Sequence, residues 1–262
     1  LDTVDSVRGQ MTTVEHFVAL EGSKPGWLEY EQLLAASDGV FERPSIAEGD
    51  LLSINYTSGT TSRPKGVMIT HRNAWVNAIG TIAHLPMTPA DRYLWTLPMF
   101  HANGWTYTWI VTAAGALHVC LRQVDATTIY GLVNQERITM LCAAPTVLIA
   151  IASGPEEGRK SLRRGVRVAT AGAPPAAATI ERMEGELGWT VTQVYGLTET
   201  APFISICAPL PEHDALEPGE RARIKARQGV ELMTSGDLRV VDENMRDVAR
   251  DGATLGEIVA RG

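Results

Sequence analysis

The sequence predicts an α/β sandwich on a largely parallel sheet, followed by the start of a small β subdomain. Two observations carry this expectation. Short apolar runs alternate with segments whose apolar positions recur at helical spacing. Parallel strands need crossovers, and helices supply them. After about residue 210 the texture changes to loops and paired strand-like runs.

Taken in order, Val14–Leu20 reads as a strand and Leu28–Ala36 as a short amphipathic helix. Leu52–Tyr56, Tyr93–Leu97, Ala116–Leu121, Thr139–Ala143, Val166–Thr170 and Thr190–Tyr195 read as the strands of the sandwich. The helices expected between them are Asn73–His84, Gly104–Ala114, Asp125–Arg137, Pro145–Ala152 and Pro175–Leu187. Asp125 before Ala-Thr-Thr-Ile suits a helix start, as does Pro174-Pro175. Pro209-Leu-Pro-Glu and Glu217-Pro-Gly-Glu mark loops, and the runs starting at Gly236 and Gly256 read as strands around a turn at Asp242–Arg246. On this reading residues 1–210 are the α/β part and residues 211–262 the start of a β-barrel-like subdomain. The chain begins at Leu1 without Met and stops at Gly262 just after Glu-Ile-Val-Ala, so both ends read as cut from a longer protein.

Composition removes several function classes. Of 262 residues, 45% are hydrophobic and 20% charged, and Gly and Pro follow no period, which excludes a disordered or collagen-like chain. A net charge of −7 argues against a nucleic-acid partner, which needs a basic face. Three cysteines are too few and too scattered for a disulfide framework or a four-ligand zinc site, so a reducing, cytoplasmic setting is expected. No run reaches the ~18 apolar residues of a membrane-spanning helix, and none reads as a secretory leader. The apolar stretch Met140–Ala152 is broken by Pro145 and reads as core.

Tyr56-Thr-Ser-Gly-Thr-Thr-Ser-Arg-Pro-Lys-Gly66 is the most informative segment. It follows a strand and concentrates hydroxyls, two glycines and one lysine. Such a loop can turn backbone N–H groups and hydroxyls toward one anionic point. A polar surface turn is the alternative. A Walker P-loop is excluded, because Lys65 is followed by Gly66. Three more segments follow: Pro98-Met-Phe-His-Ala-Asn-Gly-Trp105, Ala171-Gly-Ala-Pro-Pro175 and Gln193-Val-Tyr-Gly-Leu-Thr-Glu-Thr200. In the last, a carboxylate follows a hydroxyl just past a strand end, where open α/β sheets bind ligands.

In this order the four segments resemble the adenylate-forming superfamily, which includes acyl-CoA synthetases, firefly luciferases and peptide-synthetase adenylation domains. The fatty acyl-CoA synthetases are the nearest pattern, and the whole chain resembles the central part of the large N-terminal domain. Ser62 stands where Gly is more usual, and Val194 where Gly often precedes the Tyr. The resemblance implies an ATP-dependent ligase that activates a carboxylic acid, expected to be a fatty acid, as acyl-AMP and passes it to CoA. Implied alternatives are transfer to a carrier protein, or a non-catalytic nucleotide- or acyl-binding module. It further implies that Thr57, Ser58, Gly59, Thr60, Thr61 and Lys65 cradle the ATP phosphates, with Thr198 on the α-phosphate. Glu199 is implied to hold Mg²⁺, so Lys65, Thr198 and Glu199 form the catalytic set. Gly172, Ala173, Pro174, Val194, Tyr195 and Gly196 would meet the adenine. His101, Asn103, Gly104, Trp105 and Val194 would meet the acyl group, with Val194 narrowing the channel toward short or medium chains.

The resemblance also implies that the ribose-binding Asp, the hinge and the small C-terminal domain with its catalytic Lys lie outside these 262 residues. On that basis the isolated chain is expected to turn over nothing. A homo-oligomer is left open. The basic clusters Arg159–Arg164 and Arg221–Arg227 read as solvated faces, and His16, His71, His84, His118 and His213 lack metal-ligand spacing.

Overall fold

The fold is taken from a computed structural model, which describes residues 1–58 and 63–261. Contacts divide the chain into two units, Leu1–Ile46 and Ala47–Gly262. In the first, α1 (Asp2–Val7) precedes a two-stranded parallel pair, β1 (Val18–Ala19) and β2 (Leu28–Glu29), and then α2 (Tyr30–Ala36). The expected strand from Val14 is therefore short, and the expected helix from Leu28 begins two residues later. This unit is held by a few polar and ring contacts. Lys24 pairs with Asp2 and Asp5, Trp27 Nε1 donates to Asp5, and Arg8 lies over the Phe17 ring at 4.2 Å.

The second unit opens with β3 (Leu51–Thr57) and β4 (Lys65–Thr70), an antiparallel pair in which Thr57 faces Lys65. It continues with α3 (His71–His84), β5 (Arg92–Trp95), α4 (Ala102–Trp105), α5 (Tyr107–Ala113) and β6 (Leu117–Cys120). Next come α6 (Ala126–Gln135), β7 (Met140–Ala143), α7 (Pro145–Ser153), α8 (Glu156–Lys160), β8 (Arg167–Thr170), α9 (Ala177–Gly185) and β9 (Thr190–Gly196). The last elements are β10 (Phe203–Ile206), α10 (Pro218–Lys225), β11 (Val230–Glu231), and the antiparallel pair β12 (Asp237–Val241) with β13 (Glu257–Arg261).

Seven strands form the central sheet in the order β11-β10-β9-β8-β7-β5-β6 among the described residues. From β6 to β9 every pairing is parallel, and β10 and β11 add on antiparallel. The α/β expectation with a mostly parallel sheet holds. Strand alternation splits the core in two. Leu94, Leu141 and Val168 face a cluster shared with α6, α7 and α9, whereas Tyr93, Trp95, Cys142 and Ala169 face one shared with α5. Both faces are covered, so the strands read as unbroken apolar runs rather than alternating ones.

Local signals explain several boundaries. Thr70 caps α3 in a reciprocal arrangement with Asn73, so the helix begins ahead of the predicted Asn73. The Asp125 carboxylate accepts from the Thr128 N–H, as its position implied. Glu217-Pro-Gly-Glu, read as a loop, instead starts α10: Pro218 occupies its first turn, where a missing N–H costs nothing, and Arg223 and Lys225 occupy its last. The basic clusters are not wholly solvated either. Lys225 is 6% exposed and pairs with Glu184, whose other partners are the Val191 N–H and, at 3.9 Å, Arg221. Arg159 turns inward to donate to the Ala152 carbonyl. No helix among the described residues is long and apolar enough to cross a membrane.

Asp91 ties together the amino ends of three parallel strands. Its carboxylate accepts from the Thr88 N–H (2.8 Å), Thr139 Oγ1 (2.7 Å) and Arg167 (2.6 Å). Burial pushes this carboxyl up, but the bonds from Thr139 and Thr88, with the Arg167 charge, together bring it below the usual 3.8. A carboxyl lowered on folding stabilises the fold above pH 3.8 and loses that contribution as pH falls through its folded value. Asp91→Ala is expected to lower unfolding free energy by about 2 kcal/mol at pH 7, the scale of hydrogen bonds to a charged group. Urea titrations at pH 7 and pH 3 check this. The gap between variant and parent should shrink at the lower pH, and an unchanged gap would show that the charge contributes nothing.

Candidate functional site

One polar cleft opens where the parallel strands β5 and β9 end. β3 presents Ser53, Asn55 and Thr57 at alternate positions, hence on one face. All three line a cleft of about 620 Å³, together with Ser58, His101, Asn103 and Thr198. Residues far apart in the chain therefore share one concavity: the end of β3, the segment after β5 and the turn after β9. A second cleft of about 440 Å³ holds Glu199, with Asn73, Asn77, Thr234 and Ser235. Thr198 and Glu199 thus look into neighbouring clefts from adjacent positions.

The turn that presents them is fixed by backbone and hydroxyl. The Leu197 N–H donates to Thr200 Oγ1 at 2.8 Å, and the Thr200 N–H returns to the Leu197 carbonyl at 3.0 Å. Gly196 is obligatory, since a Cβ there would stand 1.9 Å from the Pro202 carbonyl oxygen. Asn77 braces the strand beyond, donating from Nδ2 to the Phe203 carbonyl at 2.7 Å.

The segment after β5 departs from the expected continuous helix Gly104–Ala114. Ala102, Asn103, Gly104, Trp105 and Thr106 have φ of 39°, 46°, 60°, 50° and 65°, so a left-handed turn separates His101 from α5. For residues bearing a Cβ this costs roughly 1–2 kcal/mol each, and it persists where surrounding contacts over-determine it. Here the Asn103 side chain is the main tether. Its Oδ1 accepts from Ser53 Oγ (2.8 Å) and Asn55 Nδ2 (2.7 Å), while its carbonyl accepts from Thr108 Oγ1 (2.9 Å). Ser53 and Asn55 were not singled out in the sequence, although the period-two polar pattern of β3 marks them.

The remaining predicted site residues take the following places. Lys65 is exposed at the start of β4, across from Thr57. Gly59, Thr60 and Thr61 lie outside the described residues. Gly172, Ala173 and Pro174 are exposed in the loop after β8, and a Cβ on Gly172 would touch the Trp105 ring at 3.9 Å. Tyr195 and Gly196 are half-buried. Trp105 (5% exposed) and Val194 (1%) belong to the buried cluster that contains Phe203, whose ring meets that of Trp105 edge-on at 6.2 Å.

Among the described residues no three His, Cys, Asp or Glu side chains converge on one point. A site with Glu199 as its carboxylate fits a hard cation that keeps several waters and takes its other ligands from phosphate oxygens. Chemically the arrangement offers hydroxyls and one lysine for anionic oxygens, one carboxylate for such a cation, and an amide-braced wall near His101.

Residues 2–262 match the family model described as AMP-binding enzyme. An acetate–CoA ligase from Humulus lupulus is 43% identical over 242 residues, covering 91% of this chain and 42% of that relative. A long-chain-fatty-acid–CoA ligase from Archaeoglobus fulgidus superposes with a TM-score of 0.81 at 23% identity, covering all of this chain and 51% of that one. An ATP-bound MatB from Rhodopseudomonas palustris superposes at 0.72 with 26% identity, covering 90% and 44%. The chain spans less than half the length of the curated relatives it matches.

Gly104 is the tightest point of the left-handed turn. A Cβ there would stand 2.5 Å from the Trp95 ring, at a φ of +60°. Gly104→Ala is expected to destabilise the fold by about 2–3 kcal/mol, from overpacking and backbone strain combined. Gly131 in α6 has open space, so Gly131→Ala serves as the control and should raise stability slightly. Equal effects of the two in guanidinium unfolding would refute the packing account of Gly104.

Proposed function

Since this chain belongs to the AMP-binding enzyme family, we propose that the protein carrying it is an acid–CoA ligase. In the reaction a carboxylate oxygen bonds to the α-phosphorus of ATP as the bond to the bridging β-phosphate oxygen breaks, giving acyl-AMP and pyrophosphate. The thiol of CoA then takes the acyl group and AMP leaves. The observation that supports this reading is the shared cleft of Thr57, Ser58, His101, Asn103 and Thr198. A triphosphate and a carboxylic acid must meet there, and the two halves of the cleft carry the two kinds of group required.

In this proposal Thr57, Ser58 and Lys65 hold the β- and γ-phosphates and ease departure of pyrophosphate. Thr198 donates to the α-phosphate, and Glu199 holds Mg²⁺, which offsets charge on the phosphate oxygens. Catalysis is then mainly positioning and charge stabilisation. The adenine lies against Gly172, Ala173, Pro174 and Tyr195. The acid carboxylate lies near His101 and Asn103, its tail toward Gly104, Trp105 and Val194. Those last two side chains are packed against Phe203 and Ala171, which favours a short or medium aliphatic acid over a long one. CoA is taken as acceptor, rather than a carrier-protein thiol, because the Humulus lupulus relative is named an acetate–CoA ligase.

The test is carboxylate-dependent pyrophosphate release by the full native polypeptide, across a series of acids, with and without CoA. Lys65→Ala and Glu199→Ala are each expected to lower the rate about a hundredfold, the scale of losing one charge-stabilising group. Near-normal rates in both would overturn the site assignment.

A further inference from the structure

The left-handed turn at Ala102–Thr106 is held from a second side, by residues outside the cleft. Trp95, 5% exposed at the end of β5, lays the edge of its ring against Gly104. Its indole Nε1–H donates to His118 Nδ1 on the edge strand β6 at 3.0 Å, and the two ring planes are parallel within 1°. An imidazole that accepts at Nδ1 carries its proton on Nε2 when neutral. That nitrogen stands 3.2 Å from Thr112 Oγ1, which spends its own proton on the Thr108 carbonyl at 2.9 Å. Thr108 Oγ1 in turn donates to the Asn103 carbonyl at 2.9 Å. Donors and acceptors agree at every link, so one tautomer of His118 closes a ring of contacts through Trp95, Gly104, Asn103, Thr108 and Thr112. Burial lowers the basicity of His118, which keeps it in the neutral form this ring requires.

We propose that His118 is a positioning residue for the acid-binding wall of the cleft, acting through Trp95 on the Ala102–Thr106 turn. The inference rests on the ligase reading and assigns a role to a histidine that touches neither ATP nor the acid. Without the Nδ1 acceptor, the buried indole N–H has no partner and the ring can tilt. Its edge then no longer fixes Gly104, and the strained turn relaxes away from Ser53 and Asn55. The wall carrying His101 and Asn103 moves, whereas Thr57 and Lys65 on the β3–β4 pair do not.

The experiment compares the full native polypeptide with His118→Leu, His118→Asn, Trp95→Phe and the Leu/Phe double variant, by pyrophosphate release and by NMR of the indole N–H groups. His118→Leu should raise KM for the acid about five- to tenfold, one hydrogen bond's worth, with KM for ATP unchanged. Trp95→Phe should do the same, and the double variant should add nothing further. Asn offers its Oδ1 where Nδ1 stood, so His118→Asn should restore KM for the acid to within about twofold. It should also keep the Trp95 indole proton in its hydrogen-bonded, downfield position, which His118→Leu loses. An equal rise in both KM values, additive variants, or an indole signal indifferent to His118 would overturn the proposal. If His118→Leu does not fold, Trp95→Phe and His118→Asn carry the same comparison. Absence of pyrophosphate release by the parent with every acid would overturn the ligase reading itself. The indole response would still report whether His118 holds Trp95.

Discussion

A parallel sheet buried on both faces is the constraint from which the rest follows. Because β5, β7, β8 and β9 all run the same way, their carboxyl ends emerge along one edge. Residues 98–105, 171–175 and 196–200 follow β5, β8 and β9 in turn, so the three segments leave the sheet at the same border. The faces are closed to solvent: Tyr93, Leu94, Met140, Leu141 and Cys142 are fully buried, and the Cys142 thiol is pushed up to about 12 mainly by burial. The cleft therefore opens beyond the carboxyl ends of the strands, where open α/β sheets bind ligands.

The cleft needs one element the central sheet does not supply. Among the described residues β3 and β4 pair only with each other, and the bonds from Ser53 and Asn55 to Asn103 tie them to the β5 segment at the cleft. That joint falls on a run of five consecutive residues with positive φ. A regular helix from residue 104 would have carried Asn103 away from β3. The left-handed turn keeps the amide at the cleft wall, and the contacts of Trp95 and Thr108 hold the turn. Strain at this point and the polar wall of the site are one feature seen from two sides.

Charge is used in two ways in the same unit. Asp91 and the Glu184–Lys225 pair are turned inward and bind elements to one another: Asp91 joins three strands, and Glu184 joins α9 to α10 and to the start of β9. Glu199 remains exposed in its cleft, and Lys65 is exposed across from Thr57, which lines the other. The division matches the fold and function proposed for it. Paired charges within the scaffold are already neutralised, while Lys65 and Glu199 are the two charges that the proposed reaction assigns to phosphates and cation.

Much of this was legible in the sequence, because periodicity and turn chemistry are local. The strands around residues 52–56, 93–97, 139–143, 166–170 and 190–195 are all present with ends shifted by a residue or two. The hydroxyl-rich loop and the Tyr-Gly-Leu-Thr-Glu segment announced themselves by residue type. Less legible were α10, whose Pro-Gly start resembles a turn until its basic last turn is weighed, and Lys225, whose burial depends on Glu184 many residues away. The sequence alone determined the fold class, since alternating strand and helix periods are written in short runs of neighbouring residues, and the resemblance of four such segments to a known family pointed to the chemistry. Only the tertiary structure decided that Ser53 and Asn55 hold Asn103, that residues 102–106 wind left-handed, and that His118 grips Trp95. Those choices rest on contacts between strands and loops distant in sequence, and on the energy that packing supplies to offset local backbone strain.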